Sequence, residues 1–273
     1  MDCNRPVSAA ATLGIWSGRL YLWPGRALYV GSAADTAIHS HHAAQICVGL
    51  TDDFRVRTHP TEPWRRCDSA VISPDLAHQI DGGGALMALI YLDPESDEGQ
   101  SFGIISESGF GWRQDTEKKS IFKALRNCVD ERCEIVAAAQ VIDAVLGCLN
   151  PPRRPRRVLD SRVDRVLPHI RERPGLRMPA AEAAALTGLS STRFQHLFRE
   201  STGIPFRRYL LWLRLVAAVE HVATGSSLTE AAHGAGFADS AHLSRSFRRM
   251  FGLTPSALAK DSQFVQASSR PTR

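Results

Sequence analysis

Two stretches in the C-terminal half of this 273-residue chain place hydrogen-bonding side chains at helical spacing. The first offers Ser191, Thr192, Gln195, His196 and Arg199, and the second Ser240, Ala241, Ser244, Arg245, Arg248 and Arg249. Amides, hydroxyls and guanidinium groups on one helix face are the types that read base edges in a groove and grip phosphates. A different chemistry is offered near the N-terminus by His39, His41, Gln45 and His78. If residues 39–41 are extended, His39 and His41 point to the same side, and His78 can meet them from a neighbouring strand. Three imidazoles with a fourth oxygen donor would suit Zn, Ni, Fe or Mn. Gln45 brings no negative charge, and the same residues serve equally well as the wall of a metal-free pocket. The chain carries neither a Gly-x-Ser-x-Gly nucleophile turn nor a Gly-rich phosphate loop.

The polar faces sit inside a unit that occurs twice. Residues 183–198 run from an alanine-rich segment through Gly188 and Ser190 to Phe194, Leu197 and Phe198. Residues 231–247 repeat this through Gly236 and Asp239 to Leu243 and Phe247. Phe198 and Phe247 stand 49 residues apart, as do Gly203 and Gly252. Small alanines let one helix approach the next closely, and a glycine supplies the positive φ of a tight turn between helices. Ser190 and Asp239 are the right types to cap the second helix of each unit. The apolar residues, with Phe251, then face a core. Helices are predicted over 161–173, 179–187, 191–201, 206–222, 228–235 and 240–251. The 206–222 helix is a spacer between two helix-turn-helix units. Its length allows one subunit to present both to adjacent major-groove segments of double-stranded DNA.

The charge is distributed accordingly. Residues 1–150 hold 13 Lys/Arg against 19 Asp/Glu, a net −6, whereas residues 151–273 hold 20 against 9, a net +11. Only the second half suits a polyanion. The halves meet at 150–157, where three prolines and four arginines make a solvated linker. Before it, the runs at 20–23, 27–30, 45–50, 70–73 and 86–92 predict short strands, punctuated by Pro24-Gly25, Asp52-Asp53 and Gly82 to Gly84. Residues 120–133 and 135–149 then predict two amphipathic helices that pack on the strands or pair with a second copy. The fold class is therefore α+β: an antiparallel β-barrel with two following helices, then an all-α domain with two helix-turn-helix units. The domains are 1–149, 150–157 as linker, 158–262 and a tail at 263–273. All six cysteines lie in the first half without a Cys-x-x-Cys pair, and read as free thiols. Neither a membrane span nor a secretory signal is visible, which makes the cytoplasm the expected compartment.

Residues 160–260 resemble the DNA-binding domain of the AraC/XylS family of bacterial transcription regulators. The motifs that carry this are 188–198, 203–209 and above all 236–255, from Gly236-Phe237 to Thr254-Pro255. By that resemblance base contacts fall on Thr192, Gln195 and His196, and on Ser240, Ala241, Ser244 and Arg245, with Arg199 and Arg248 on phosphates. His196 stands where family members often carry Arg. The resemblance also implies RNA polymerase as a partner of an activator, and a sensor half able to form a homodimer. The 39–45 and 74–78 segments resemble the two motifs of a cupin barrel, whose metal-binding members place His, His, Glu and a distant His there. The expected effector is a small molecule, or a metal held by His39, His41, Gln45 and His78. The rival of another class is a cupin enzyme with an accessory nucleic-acid domain.

Overall fold

The computed structural model of the chain describes residues 15–102, 110–111, 118–130, 133–149, 159–172 and 178–266; the linker at 150–157 lies outside them. In chain order the first half contains the strands β1 (Ser17–Trp23), β2 (Arg26–Ser32), β3 (Ala44–Gly49), β4 (Phe54–Arg57), β5 (Arg65–Cys67), β6 (Ser69–Ile72), β7 (Gln79–Asp81) and β8 (Leu86–Leu92). Then come α1 (Asp97–Phe102), β9 (Phe110–Gly111), α2 (Lys118–Asn127) and α3 (Ile135–Leu149). The second half contains α4 (Ser161–Arg171), α5 (Ala180–Ala185), α6 (Ser191–Thr202), α7 (Phe206–Ala223), α8 (Leu228–Gly234), α9 (Ser240–Phe251), α10 (Pro255–Ala259) and β10 (Asp261–Gln266).

The strands form a seven-stranded sheet, in the order β10-β1-β2-β8-β3-β6-β9, and a three-stranded sheet, β5-β4-β7. The large sheet is buried on both faces, which is why its strands read as continuous apolar runs rather than alternating ones. One face, with Tyr21, Leu28, Val30, Ile46, Val48, Ala88 and Ile90, packs on Leu125, Cys128, Ala138, Ile142 and Val145 of the α2–α3 hairpin. The other face, with Leu20, Leu22, Tyr29, Cys47, Ile72 and Leu89, meets Phe54, Val56 and Ile80 of the small sheet. Of the two sequence alternatives for 118–149, packing on the strands is therefore observed. The first of these helices stops at Asn127 rather than Cys133. Successive i→i+3 turns follow, held by Tyr21 Oη donating to the Cys128 carbonyl at 2.7 Å and by the buried Arg19 donating to the Asp130 carbonyl.

In the second half, Val163, Val166, Leu167 and Ile170 of α4 pack with Ala183, Phe194, Leu197, Phe198, Phe206 and Tyr209. Trp212, Leu215, Ala218, Ala232, Phe237, Leu243, Phe247 and Met250 form the matching core around the second unit. The helix α7, 18 residues and about 27 Å long, contributes to both cores. The chain then returns to the N-terminal half. β10 pairs in parallel with β1, Ser17 opposite Asp261 and Leu22 opposite Gln266. Phe264 and Val265 go to opposite faces of the sheet, one to each of its cores. Residues 263–266, assigned by the sequence reading to a tail, thus lie in this edge strand. Its six residues, Asp261 to Gln266, carry too weak a local pattern to reveal a partner 244 positions away.

Candidate functional site

Both helix-turn-helix units are assembled by the local signals in their sequences. Gly188 and Gly236 turn the chain at φ 68° and 76°. Ser190 accepts the Arg193 amide at 3.3 Å, and Asp239 accepts the His242 amide at 2.6 Å. Capping of this kind stabilises a helix start by about 1 kcal/mol. The second unit also has a capping box, in which Ser227 and Glu230 satisfy each other's amides at the start of α8. Each second helix ends in a left-handed glycine, Gly203 at φ 85° and Gly252 at 74°. With Phe194, Leu197, Phe198, Leu243 and Phe247 buried, the polar residues are left outside. Thr192, Gln195, His196 and Arg199 are exposed on α6; on α9, Ala241, Arg245 and Arg248 are exposed and Ser240 and Ser244 are half-exposed. A residue missed by the sequence reading braces the second unit. Arg214 of α7 donates to the Ala235 and Gly236 carbonyls and lies over the Phe237 ring, 4.2 Å from its centroid.

The histidines converge as expected, but not from a strand. His39 makes a single bridge to His78 in the loop before β3, and His41 lies in the same loop. The ligating atoms of His39, His41 and His78 lie within 4.8 Å of one another, all buried. His39 Nδ1 is 2.9 Å from the Ala37 carbonyl, and His78 Nδ1 is 2.9 Å from that of Leu76. Donation there fixes the tautomer and leaves each Nε2 with a lone pair, the second-shell pattern of metal-binding imidazoles. Gln45 Oε1 sits 2.8 Å from His41 Nε2 and 3.1 Å from His78 Nε2. For His78 an acceptor therefore faces an acceptor, a conflict that a bridging cation or a turned amide resolves. Burial, with repulsion from His41, pushes His39 down to about 3, and burial pushes His41 down to about 4. The cluster is thus neutral, as metal ligation requires. The donor set fits a divalent ion of the Zn, Ni, Fe or Mn class.

The neighbouring His42 behaves oppositely. Its two nitrogens donate to Asp75 Oδ2 at 2.8 Å and Glu95 Oε1 at 2.9 Å. Burial favours the neutral form, but the two carboxylates outweigh it and push the pKa up to about 9. Asp75 holds φ 61°, the one positive φ among the described non-glycine residues. The same carboxylates hold the helical half. Asp75 Oδ1 lies 3.6 Å from Arg208, while Arg171 reaches Asp93 at 2.9 Å, Glu95 at 3.4 Å and the Tyr209 hydroxyl at 3.1 Å.

The second unit touches the N-terminal half differently. Ala37 donates its amide to the Gly252 carbonyl at 2.8 Å. A Cβ on Gly252 would come within 2.6 Å of the Ala37 carbonyl oxygen and 2.7 Å of His39 Nδ1. The rings of Trp212 and Phe251 lie 6.3 and 6.1 Å from that of His41. Beside this contact opens a cavity of about 320 Å³ between the large sheet and helices α7 and α9. Trp16, Leu20, Tyr29 and Tyr91 wall it from the N-terminal half, and Trp212, Val216, Phe247 and Phe251 from the helical half.

Residues 183–261 match the family model described as a helix-turn-helix domain. The chain is 24% identical over 192 residues to the HTH-type transcriptional regulator RipA of Corynebacterium diphtheriae, covering 70% of this chain and 53% of that protein. RipA of Corynebacterium glutamicum is 32% identical over 92 residues, 34% of this chain and 28% of that protein. The matched region thus spans about half, or less, of these relatives. Among solved structures, ToxT from Vibrio cholerae shares the fold with a TM-score of 0.58 at 10% identity, over 87% of this chain and 98% of ToxT. A ToxT structure with an unsaturated fatty acid bound matches equally, over 86% and 95%. Among the described residues, no helix is long and apolar enough to cross a membrane. With the doubled motif and its outward polar faces, residues 183–261 form a helix-turn-helix domain, similar in sequence to part of these HTH-type transcriptional regulators.

Proposed function

We propose that the chain is a cytoplasmic, sequence-specific regulator whose DNA binding responds to a small apolar molecule held in the cavity between its two halves. One observation carries this: the cavity is walled by both the sensor sheet and the helix α9 that bears Arg245 and Arg248. A molecule seated there contacts both halves, so it binds the docked and undocked arrangements unequally, which is the requirement for control. The site thus lies between the domains rather than inside the sensor, whose two sheets fill the space between them with Phe54, Val56, Ile72 and Ile80. That ToxT holds a fatty acid in one structure supports an apolar effector for this fold. In this reading Thr192, Gln195, His196, Ser240, Ala241, Ser244 and Arg245 read bases, while Arg199 and Arg248 hold phosphates. Activation through RNA polymerase and formation of a homodimer rest on the family resemblance. DNA selected from a random pool, then footprinted, tests the core of this reading. The expected footprint covers two consecutive major-groove segments on one face of the duplex. Selection that enriches no sequence overturns it.

A metal-responsive version is favoured by the three imidazoles and the unresolved His78–Gln45 contact. Bound there, the ion would hold His39 beside Gly252 and so report to the end of α9. Elemental analysis of the full chain against a His39→Ala/His41→Ala variant decides it. One equivalent lost in the variant supports the version, and negligible metal in both removes it.

A further inference from the structure

The cavity between the halves has apolar walls, but four charged residues also line it: Arg26, Asp93, Arg171 and Glu220. Three of these are already neutralised. Arg26 is paired with Asp143 at 2.6 Å and Glu98 at 3.3 Å, and its guanidinium lies over the Trp23 ring. Arg171 and Asp93 are paired with each other at 2.9 Å. Glu220 is the exception. It lies half-buried on α7, one turn or two beyond Val216 and Trp212, which line the same wall. Among the described residues no hydrogen bond or ion pair reaches its carboxylate. Burial raises its pKa, with only its neighbour His221 acting the other way.

An anionic ligand would meet this arrangement badly. It would either sit beside a second carboxylate or have to displace Asp143 or Asp93 from a guanidinium. A ligand donor does the reverse, giving Glu220, through a charge-assisted hydrogen bond, the partner that the described residues do not supply. The aromatic walls, with Trp16, Tyr29, Tyr91, Trp212 and Phe251, suit a cation further, since ring faces attract positive charge. Resting on the cavity as the effector site, we infer that the effector is an apolar molecule ending in a protonated amine, seated against Glu220.

The test titrates n-decylamine, n-decanol and decanoate into the full chain and follows the fluorescence of the wall tryptophans. The amine is expected to bind about ten- to a hundredfold more tightly than decanoate, the scale of one charge-assisted hydrogen bond. Glu220→Gln, confirmed folded by circular dichroism, should bring the two probes together, and Glu220→Lys should reverse their order. Val216→Trp, which fills the cavity, should abolish binding of all three. Decanoate binding as tightly as the amine, or a preference that survives in Glu220→Gln, overturns the inference while leaving the cavity as a site. If no probe binds, or Val216→Trp changes nothing, the cavity reading itself falls and takes this inference with it.

Discussion

In the first helix-turn-helix unit Ser190 caps α6 and Gly203 ends it; in the second Asp239 and Gly252 do the same for α9. The two units differ in how they meet the N-terminal half. The first is held mainly by polar contacts: Arg171 and Arg208 reach Asp93, Glu95 and Asp75, Arg208 also donates to Ser40 Oγ at 2.6 Å, and His42 lies beneath them between two of those carboxylates with its ring 5.7 Å from that of Tyr209. The second is held by close contact, backbone against backbone at Gly252 and aromatic rings across the cavity. Polar contacts of the first kind tolerate small shifts and respond to salt and pH. Packed contacts of the second kind have few intermediate arrangements, because interiors are close-packed and do not deform smoothly. A change in the N-terminal half should therefore reach α9 before α6.

Four measurements test this contrast, the largest effect first. His42→Gln leaves Asp75 and Glu95 without their shared cation, and loss of one partner in a buried ion pair costs about 3 kcal/mol. Urea melts should show it, with a pH signature. The folded pKa of His42 is raised to about 9. Its contribution is therefore complete below about pH 6.5, the unfolded value, and is lost as the pH rises through about 9. The variant should lack that loss; an unchanged profile would show that His42 is not the group that titrates.

Second comes a pair of glycines. Gly203→Ala should cost about 1 kcal/mol, the strain of a left-handed alanine. Gly252→Ala adds a clash with Ala37 and His39, and should cost about 2–3 kcal/mol in the full chain. Equal costs would mean that the second unit is not tightly seated. Third, Arg245→Ala should weaken the selected DNA site by about 1–3 kcal/mol and relax its sequence preference, whereas Arg248→Ala should weaken all DNA alike and lower the salt slope by about 1. The same behaviour in both variants on random DNA would erase the split between base and phosphate contacts. Smallest is Arg208→Ala. Its partially exposed pair with Asp75 is worth no more than about 1 kcal/mol and should be lost in high salt, leaving only what its donation to Ser40 Oγ at 2.6 Å contributes.

Much of the helical half was legible because its signals are local. The predicted helix 191–201 is observed at Ser191–Thr202, and 240–251 at Ser240–Phe251, since cap, turn glycine and apolar spacing all lie within a few residues of the helix they define. The sensor was legible only in part. The five apolar runs became strands, but β4, β5 and β7 escaped notice: Phe54–Arg57, Arg65–Cys67 and Gln79–Asp81 are short, and polar where they face out. The histidine cluster was foreseen as a set of residues, although its extended strand is in fact a loop.

The sequence by itself therefore determined two helix-turn-helix units, their caps and turns, and which side chains face outward, because a helix sets its neighbours by spacing alone. Tertiary structure decided the rest. His41 and His42 are adjacent and of the same type, yet one is neutral in a ring of imidazoles and the other is cationic between two carboxylates. β10 closes on β1 across nearly the whole chain, Gly252 meets Ala37, and Glu220 lines a cavity with no partner among the described residues. Each of these depends on groups far apart in sequence being brought into one low-dielectric place, where charge, packing and hydrogen bonding are settled by neighbours that no local pattern names.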